Sequence, residues 1–408
     1  MSDNNTMLNN IPEPQQDAIF LSNGIASKLK SENKLKINGG NGILTNPDGS
    51  IYMPLCVKEV MKNINYTVGY GKIRGDESAI QLLENLFFNN YSFRNQLYST
   101  LSYGGTHALQ LASEYLKIIG ITHIFIPESS WPNHEKIFCD FHIITYCHKE
   151  LNIQKIINEI DLNNNKYALL FHGTCHNPSG VNNLIPNDLI LFLNKNDCVL
   201  ICDYAYPALC NGLEKDNEII CKYIDKCKNI ITCISLSKIF GLYGQRVGLM
   251  SVHSKIFDKK SIEKSKSVLE NILRKTVSNI ATTESHIINN LLSDDLIVLN
   301  LKKDIDEIHI KLRSKRLLLQ NELIKNNLMI DVIGVDFEKD KTNINDIVHS
   351  GLFCILPLNS KEIDTLAYRY GIILVDLGNN EARLNICAIN ESNVEYFVSS
   401  LCNVLNCV

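Results

Sequence analysis

Between Leu97 and Ser251 short apolar runs alternate with stretches of helical periodicity, the runs being LYSTLSY, HIFIP, HIITYC, KYALLFH, CVLIC and NIITCISL. Strands that alternate with helices build βαβ units, and βαβ units build a mostly parallel sheet covered by helices. This one feature predicts an α/β fold. It also predicts where function resides, because in such sheets ligands bind in the loops at the carboxyl ends of the strands. Beyond this region, roughly Ser261 to Leu292 and Asp304 to Asn326 carry helical periodicity, and LFCILPL, GIILVDL and ARLNICAI in the last hundred residues indicate a smaller α+β unit.

At 408 residues the chain exceeds the size at which one hydrophobic core keeps growing, so two domains are expected. The formal net charge of −4, with no long basic block, excludes the electrostatic footprint of a protein that binds nucleic acid or an anionic membrane. No apolar run approaches the ~18 residues of a membrane span. The opening MSDNNTMLNNIPEPQQ is polar and Asn-rich and lacks the regions of a signal peptide, which points to a cytoplasmic protein with a loose N-terminal arm. Fourteen unevenly spaced cysteines, several inside apolar strands, suit a reducing compartment. There is no C-x-x-C pair, and Cys147-His148 and Cys175-His176 lack spaced partners, so no metal site is expected.

Five loops follow the strands: Gly104-Gly105-Thr106, Trp131-Pro132-Asn133-His134, Asn177-Pro178-Ser179-Gly180, Asp203-Tyr204-Ala205-Tyr206 and Ser235 to Lys238. Singly, each is ordinary turn chemistry. Together they lie along the functional edge of one sheet. Glycines leading into a helix offer free backbone N–H groups to a phosphate, and Ser235 and Arg246 can add a hydroxyl and a fixed cation. Asp203 ends a buried strand, where a carboxylate is costly unless it caps a helix or meets a cation such as a protonated ring nitrogen. Trp131, the only tryptophan, either fills the core or offers a flat face to an aromatic ring. Lys238, with its pKa lowered by its surroundings, can form a Schiff base with an aldehyde.

Phosphate, pyridinium, aromatic ring and aldehyde together describe pyridoxal phosphate, and here the chain resembles the fold-type I aminotransferases, specifically the aspartate and aromatic amino acid subgroup. The motif that carries the resemblance is S-x-x-K-x-x-G-L-Y-G-x-R-V-G, from Ser235 to Gly248. The likeness extends from INGGNGILTNPDGSIYMPL, near residue 37, to EARLNICAIN, near residue 390. It implies a large pyridoxal-phosphate-binding domain over residues 46–305, with a mostly parallel seven-stranded sheet between helices. A small α+β domain would be formed by residues 17–45 and 306–408, after a flexible arm at 1–16.

The resemblance also implies roles. Lys238 would hold the cofactor aldehyde and then shuttle the proton at the substrate Cα. Asp203 would keep the pyridine nitrogen protonated, with His134 bonded to it. Asn177 and Tyr206 would bind the phenolic oxygen, and Trp131 would stack on the ring. Gly105, Thr106, Ser235 and Arg246 would cradle the phosphate with Tyr66 of a neighbouring subunit, which makes the protein a homodimer with shared sites. Substrate would meet Gly42, Trp131 and Asn177, with Arg383 on its α-carboxylate and Arg274 of the other subunit on a distal carboxylate.

The departures from the family concern mainly the substrate. Ser278-Asn279-Ile280-Ala281 stands where the family has S-N-P-P, Asn41 replaces an apolar residue, Gly104 and His107 replace a Ser and a Gly, and Tyr204 replaces a small residue. The expected activity is transfer of an amino group from aspartate or an aromatic L-amino acid to a 2-oxo acid such as 2-oxoglutarate, by a ping-pong route. The alternative is elimination, decarboxylation or oxidation on the same cofactor, since fold does not fix chemistry. A non-catalytic ligand sensor is disfavoured by the intact Lys238.

Overall fold

The computed structural model describes residues 17–64, 69–88, 96–148, 165–334 and 348–405. Its strands are β1 (Ile37–Asn38), β2 (Leu97–Tyr103), β3 (His123–Pro127), β4 (His142–Tyr146), β5 (Tyr167–His172), β6 (Val199–Tyr204), β7 (Asn229–Ser235), β8 (Val247–Ser254), β9 (Phe353–Leu356), β10 (Ile372–Ile373), β11 (Val375–Gly378) and β12 (Glu381–Asn385). Seven of them form one sheet in the order β2-β8-β7-β6-β5-β3-β4, in which β8 runs antiparallel to both neighbours and the rest are parallel. Every residue of β5, β6 and β8 is buried. Covered on both faces by helices, β5 and β6 read as near-continuous apolar runs rather than alternating ones, which is why they stood out in the sequence.

The sheet sets the site by register. His172 at the end of β5 lies beside Asp203 of β6, and Asp203 lies beside Cys233 of β7. β2 passes directly into the helix Gly104–Ile118, which packs against β7 and β8. Gly104 sits at φ +73°, and a Cβ there would lie 2.7 Å from Arg246 Nη2. Only glycine permits both the left-handed backbone and that approach.

The chain's two ends meet at β1, which pairs in parallel with β10, while β11, β12 and β9 form an antiparallel three-stranded sheet. The helix Ala18–Ser31 packs against β10 and β11, and Asp17 caps it by accepting from the N–H groups of Ile19 and Phe20 at 2.9 and 3.3 Å. The helix Ser360–Tyr370 starts with an Asn359/Glu362 capping box and ends at Gly371, φ +67°, where a side chain would strike the Lys34 carbonyl.

Two helical expectations are refined. The stretch expected over Ser261 to Leu292 is two helices, Lys259–Thr276 and Thr282–Leu292. The break between them is anchored: the Tyr103 hydroxyl donates to the Asn279 carbonyl at 3.3 Å and accepts from Ala281 N–H at 3.0 Å, while Ile280 is buried and donates to the Ile73 carbonyl at 3.0 Å. The helix expected over Asp304 to Asn326 starts earlier, running Asp295–Lys325 from an Asp294 cap, so it passes unbroken through the expected domain limit at 305/306.

That long helix also fixes the far side of the site. Arg316, fully buried, donates to the carbonyls of Val332, Ser350 and Gly351 at 2.9, 2.9 and 3.1 Å and to that of Phe353. Carbonyl dipoles satisfy its charge in place of a carboxylate, and they pin the start of β9.

Candidate active site

One cavity opens at the carboxyl ends of β2, β5, β6 and β7. Its walls include Gly42, Gly105, Thr106, Trp131, Asn177, Asp203, Tyr206, Ser235, Lys238, Arg246 and Arg383, so eleven residues singled out from the sequence converge on it. Of the remaining three, His134 touches Asp203 from behind. Arg274 lies elsewhere, at the end of the helix Lys259–Thr276, with its Nη1 donating to Ser278 Oγ at 2.7 Å. Tyr66 lies outside the described residues.

Asp203 is 3 % exposed, and its two oxygens differ. Oδ2 accepts from His134 Nε2 at 2.9 Å, and His134 Nδ1 pairs with the Ser130 hydroxyl at 2.5 Å. Oδ1 is buried with no hydrogen-bond partner. Burial pushes this carboxyl up, but the His134 hydrogen bond and the charge of nearby Lys238 outweigh it and hold the pKa below the ordinary value. An ionised carboxylate with one bare oxygen calls for a cationic donor inside the cavity.

Lys238 lies on the loop after β7, partly open to the cavity, its Nζ 5.1 Å from the centre of the Tyr206 ring. Loss of hydration lowers its pKa to about 8; Asp203 opposes that shift, while the positive charges of Arg246 and Arg383 add to it. A neutral amine is therefore within reach near neutral pH.

Arg246, at φ +57°, reaches back across the loop to the Tyr243 and Tyr103 carbonyls at 3.2 and 3.4 Å and to Ser237 Oγ at 3.4 Å. A Cβ on Gly105 would come within 3.0 Å of Ser235 Cβ, so the helix start and the Ser235 loop close into a cradle. The bare N–H groups of a helix start beside a hydroxyl and a guanidinium suit a phosphate.

Arg383, in β12 and 2 % exposed, donates to Asn177 Oδ1 at 3.2 Å and to the Gly40 carbonyl at 3.1 Å, and lies 4.2 Å over the Phe353 ring. Asn177 in turn donates to the Tyr206 hydroxyl at 3.2 Å. Burial lowers the Arg383 pKa to about 10, and its Nε has no partner among the described residues. Asn41, an expected departure, is held by Asn385, whose Nδ2 donates to its carbonyl and to its Oδ1 at 3.1 and 2.9 Å.

His172, Ser237, Phe353 and Ile19 also line the cavity and were not found from the sequence. His172 ends β5 beside Asp203, so the strand-end rule that found Asp203 applies to it as well. It is buried, without a partner for either nitrogen among the described residues, and burial lowers its pKa to about 3. Phe353 and Ile19 carry no local signal, because they reach the site through the packing of the chain's two ends.

The family profile described as aminotransferase class I and II matches residues 36–401. The aspartate aminotransferase of Haemophilus influenzae is 26 % identical over 399 residues, covering 94 % of this chain and 96 % of that protein. The aspartate aminotransferase of Escherichia coli is 23 % identical over 98 % of this chain and all of its own length. Among solved structures, the aromatic-amino-acid aminotransferase of Burkholderia pseudomallei covalently bound to pyridoxal phosphate superposes with a TM-score of 0.83 at 23 % identity, over 98 % of this chain and 100 % of that one. The chain belongs to the class I and II aminotransferase family and is a pyridoxal-phosphate-dependent amino acid aminotransferase.

The residues present fit that cofactor. The bare Asp203 Oδ1, the glycine cradle beside Ser235 and Arg246, and the lowered pKa of Lys238 answer its ring nitrogen, its phosphate and its aldehyde in turn.

Proposed function

We propose that this chain moves the amino group of an L-amino acid to a 2-oxo acid in two half-reactions at the Lys238 cavity. The relatives' names make aspartate and the aromatic amino acids the first donors to assay, with 2-oxoglutarate as acceptor. The observation that carries this reading is the pairing, across one cavity, of a buried carboxylate with a bare oxygen and a lysine whose pKa falls to about 8. Pyridoxal phosphate, when bound, supplies an aldehyde for the substrate amine and a ring that accepts the electrons released at Cα.

The chain's own residues do the rest. Asp203, ionised and backed by His134, holds a proton on the ring nitrogen. Lys238, as a neutral base, would take the proton from the substrate Cα and hand it to the cofactor's aldehyde carbon, two bonds away across the nitrogen. Asn177 and Tyr206 hold the phenolic oxygen, Trp131 covers the ring, and Gly105, Thr106, Ser235 and Arg246 hold the phosphate. Arg383 fixes the α-carboxylate through a guanidinium that Asn177 and the Gly40 carbonyl already orient.

We propose further that the protein works as a homodimer, with Tyr66 and Arg274 reaching the partner's site, and that residues 46–305 form the cofactor domain. The parallel pairing of β1 with β10 supports a second unit built from both ends, and the helix Asp295–Lys325 would be the rigid link between the two. The thirteen described cysteines are all free, and no described helix is long and apolar enough to cross a membrane, which supports a cytoplasmic location.

The test is a panel of amino acids mixed with the loaded enzyme, scored by loss of the aldehyde-form absorbance and by pyridoxamine phosphate appearing in equal amount. Consumption of an amino acid without pyridoxamine phosphate would replace transamination by elimination, decarboxylation or oxidation.

A further inference from the structure

Departures from the family pattern meet on one side chain, that of Tyr103. His107 Nδ1 accepts from the Tyr103 N–H at 3.1 Å, and its ring lies against the Tyr103 ring at 5.3 Å between centroids and 27° between planes. Arg246 of the phosphate cradle donates to the Tyr103 carbonyl at 3.4 Å. With N–H, carbonyl and ring all held, the hydroxyl is aimed at the break between the helices Lys259–Thr276 and Thr282–Leu292. There it accepts from Ala281 N–H at 3.0 Å and donates to the Asn279 carbonyl at 3.3 Å.

The break needs such an anchor. Ser278 has φ +72°, in the left-handed region that a residue other than glycine keeps only when its surroundings hold it there. Ile280 and Ala281 stand where the family has Pro-Pro, so each brings a backbone N–H that must find an acceptor and a φ that no ring fixes. Ile280 takes the Ile73 carbonyl at 3.0 Å, and Ala281 takes the Tyr103 hydroxyl. Ala281 nevertheless keeps φ −63° and ψ 143°, a conformation that proline adopts unaided. The hydrogen bond thus does from outside what a ring does from within. Arg274 is tied to the same turn through Ser278 Oγ at 2.7 Å, so whatever sets the turn sets the arginine.

We propose that Tyr103 is a positioning residue for the partner's site: its hydroxyl fixes the turn at 278–281, and through it Arg274, for the distal carboxylate of a dicarboxylic substrate bound in the other subunit. The inference rests on the homodimeric transaminase reading. It adds a residue whose backbone steadies the phosphate cradle of one site while its hydroxyl serves the substrate of the other. Losing the hydroxyl leaves the Ala281 N–H unpaired and the turn free to leave its left-handed conformer. A turn in place about a tenth of the time weakens dicarboxylate binding about tenfold, because apparent affinity scales with the competent fraction.

The experiment uses the loaded dimer and two probes without an amine, glutarate and pentanoate, equal in length and different by one carboxylate. Dissociation constants are read by calorimetry and from the cofactor absorbance. Glutarate should bind the unaltered enzyme about tenfold more tightly than pentanoate. Tyr103→Phe should weaken glutarate about tenfold and leave pentanoate within about twofold. Ala281→Pro in the Tyr103→Phe chain should restore glutarate, because the ring supplies the φ that the bond had held. Mixed dimers then locate the effect, with aspartate as donor. Tyr103→Phe on a Lys238→Ala chain should raise KM at the intact site about tenfold at unchanged kcat, whereas Tyr103→Phe on the chain with intact Lys238 should leave KM within about twofold. Equal losses for glutarate and pentanoate, a loss that follows the working site's own chain, or a proline that restores nothing would overturn the proposal. Glutarate no tighter than pentanoate in the unaltered enzyme would overturn it and leave the transaminase standing, while a fully active monomer would remove the homodimer as well.

Discussion

The floor of the cavity and its outer wall are built in different ways. The floor comes from strand ends a few residues apart in register: His172 and Ser235 end β5 and β7, Asp203 is the last residue but one of β6 between them, and Lys238 is three residues beyond Ser235. Backbone hydrogen bonds of the buried sheet hold each of them. The wall is assembled around Trp131 by Ile19 and Phe353, which reach it only because the two ends of the chain pack together. The floor is set by one rigid element and the wall by several, so chemistry is fixed on the former while selectivity can drift on the latter.

If that contrast is sound, damage to the floor should abolish turnover for every donor, and damage to the wall should redistribute preference. The largest effect is expected for Asp203→Ala, with kcat falling on the order of a thousandfold for all donors while cofactor still binds, because the phosphate cradle is untouched. Steady-state rates and the cofactor absorbance of the same sample check both halves. Arg383→Lys, at the join of floor and wall, should lower kcat/KM about a hundredfold alike for acidic, neutral and basic donors, since a point charge replaces a fork held by Asn177 and Gly40. A loss confined to one donor class would move Arg383 from anchor to selectivity.

A pH effect follows from the floor alone. In the cofactor-free protein Lys238 releases its proton near 8, against an ordinary value of 10.5. Between those values the unfolded chain binds more protons than the folded one, so stability rises as pH climbs from about 8 to 10.5. Cofactor uptake, which needs the neutral amine, should rise about tenfold per pH unit below 8 and level off above it. Denaturant melts and stopped-flow absorbance across that range read the two trends, and Lys238→Met should flatten the first. The smallest effect belongs to the wall's far edge: Arg274→Ala should change kcat/KM for a neutral donor such as norleucine less than about threefold, as for an exposed charge. A large loss confined to aspartate and glutamate would show that it meets their distal carboxylate in the partner's site.

The same contrast governs what the sequence disclosed. Of the six apolar runs that became β2 to β7, the inner ones were legible because a buried parallel strand is apolar on both faces, and the edge strands β2 and β4 because they are apolar as well; the residues at their ends followed from the strand-end rule. The lysine and arginine of S-x-x-K-x-x-G-L-Y-G-x-R-V-G needed only local spacing. Phe353 and Ile19 were not legible, because nothing near them in sequence marks a position whose partners lie hundreds of residues away. The break between Thr276 and Thr282 was missed for a related reason. Apolar periodicity continues through it, and the anchors that stop the helix are Tyr103 and the Ile73 carbonyl from another part of the chain.

The central claim is that Lys238 holds the cofactor aldehyde. Reducing the loaded enzyme with borohydride, digesting it and sequencing the fluorescent peptide tests that claim without reference to any substrate. The account predicts one pyridoxyl group per chain, on Lys238 within the peptide that spans Ser235 to Arg246, and none in Lys238→Ala. A label on another lysine, or an unlabelled Lys238 in a protein that has taken up cofactor, would contradict it.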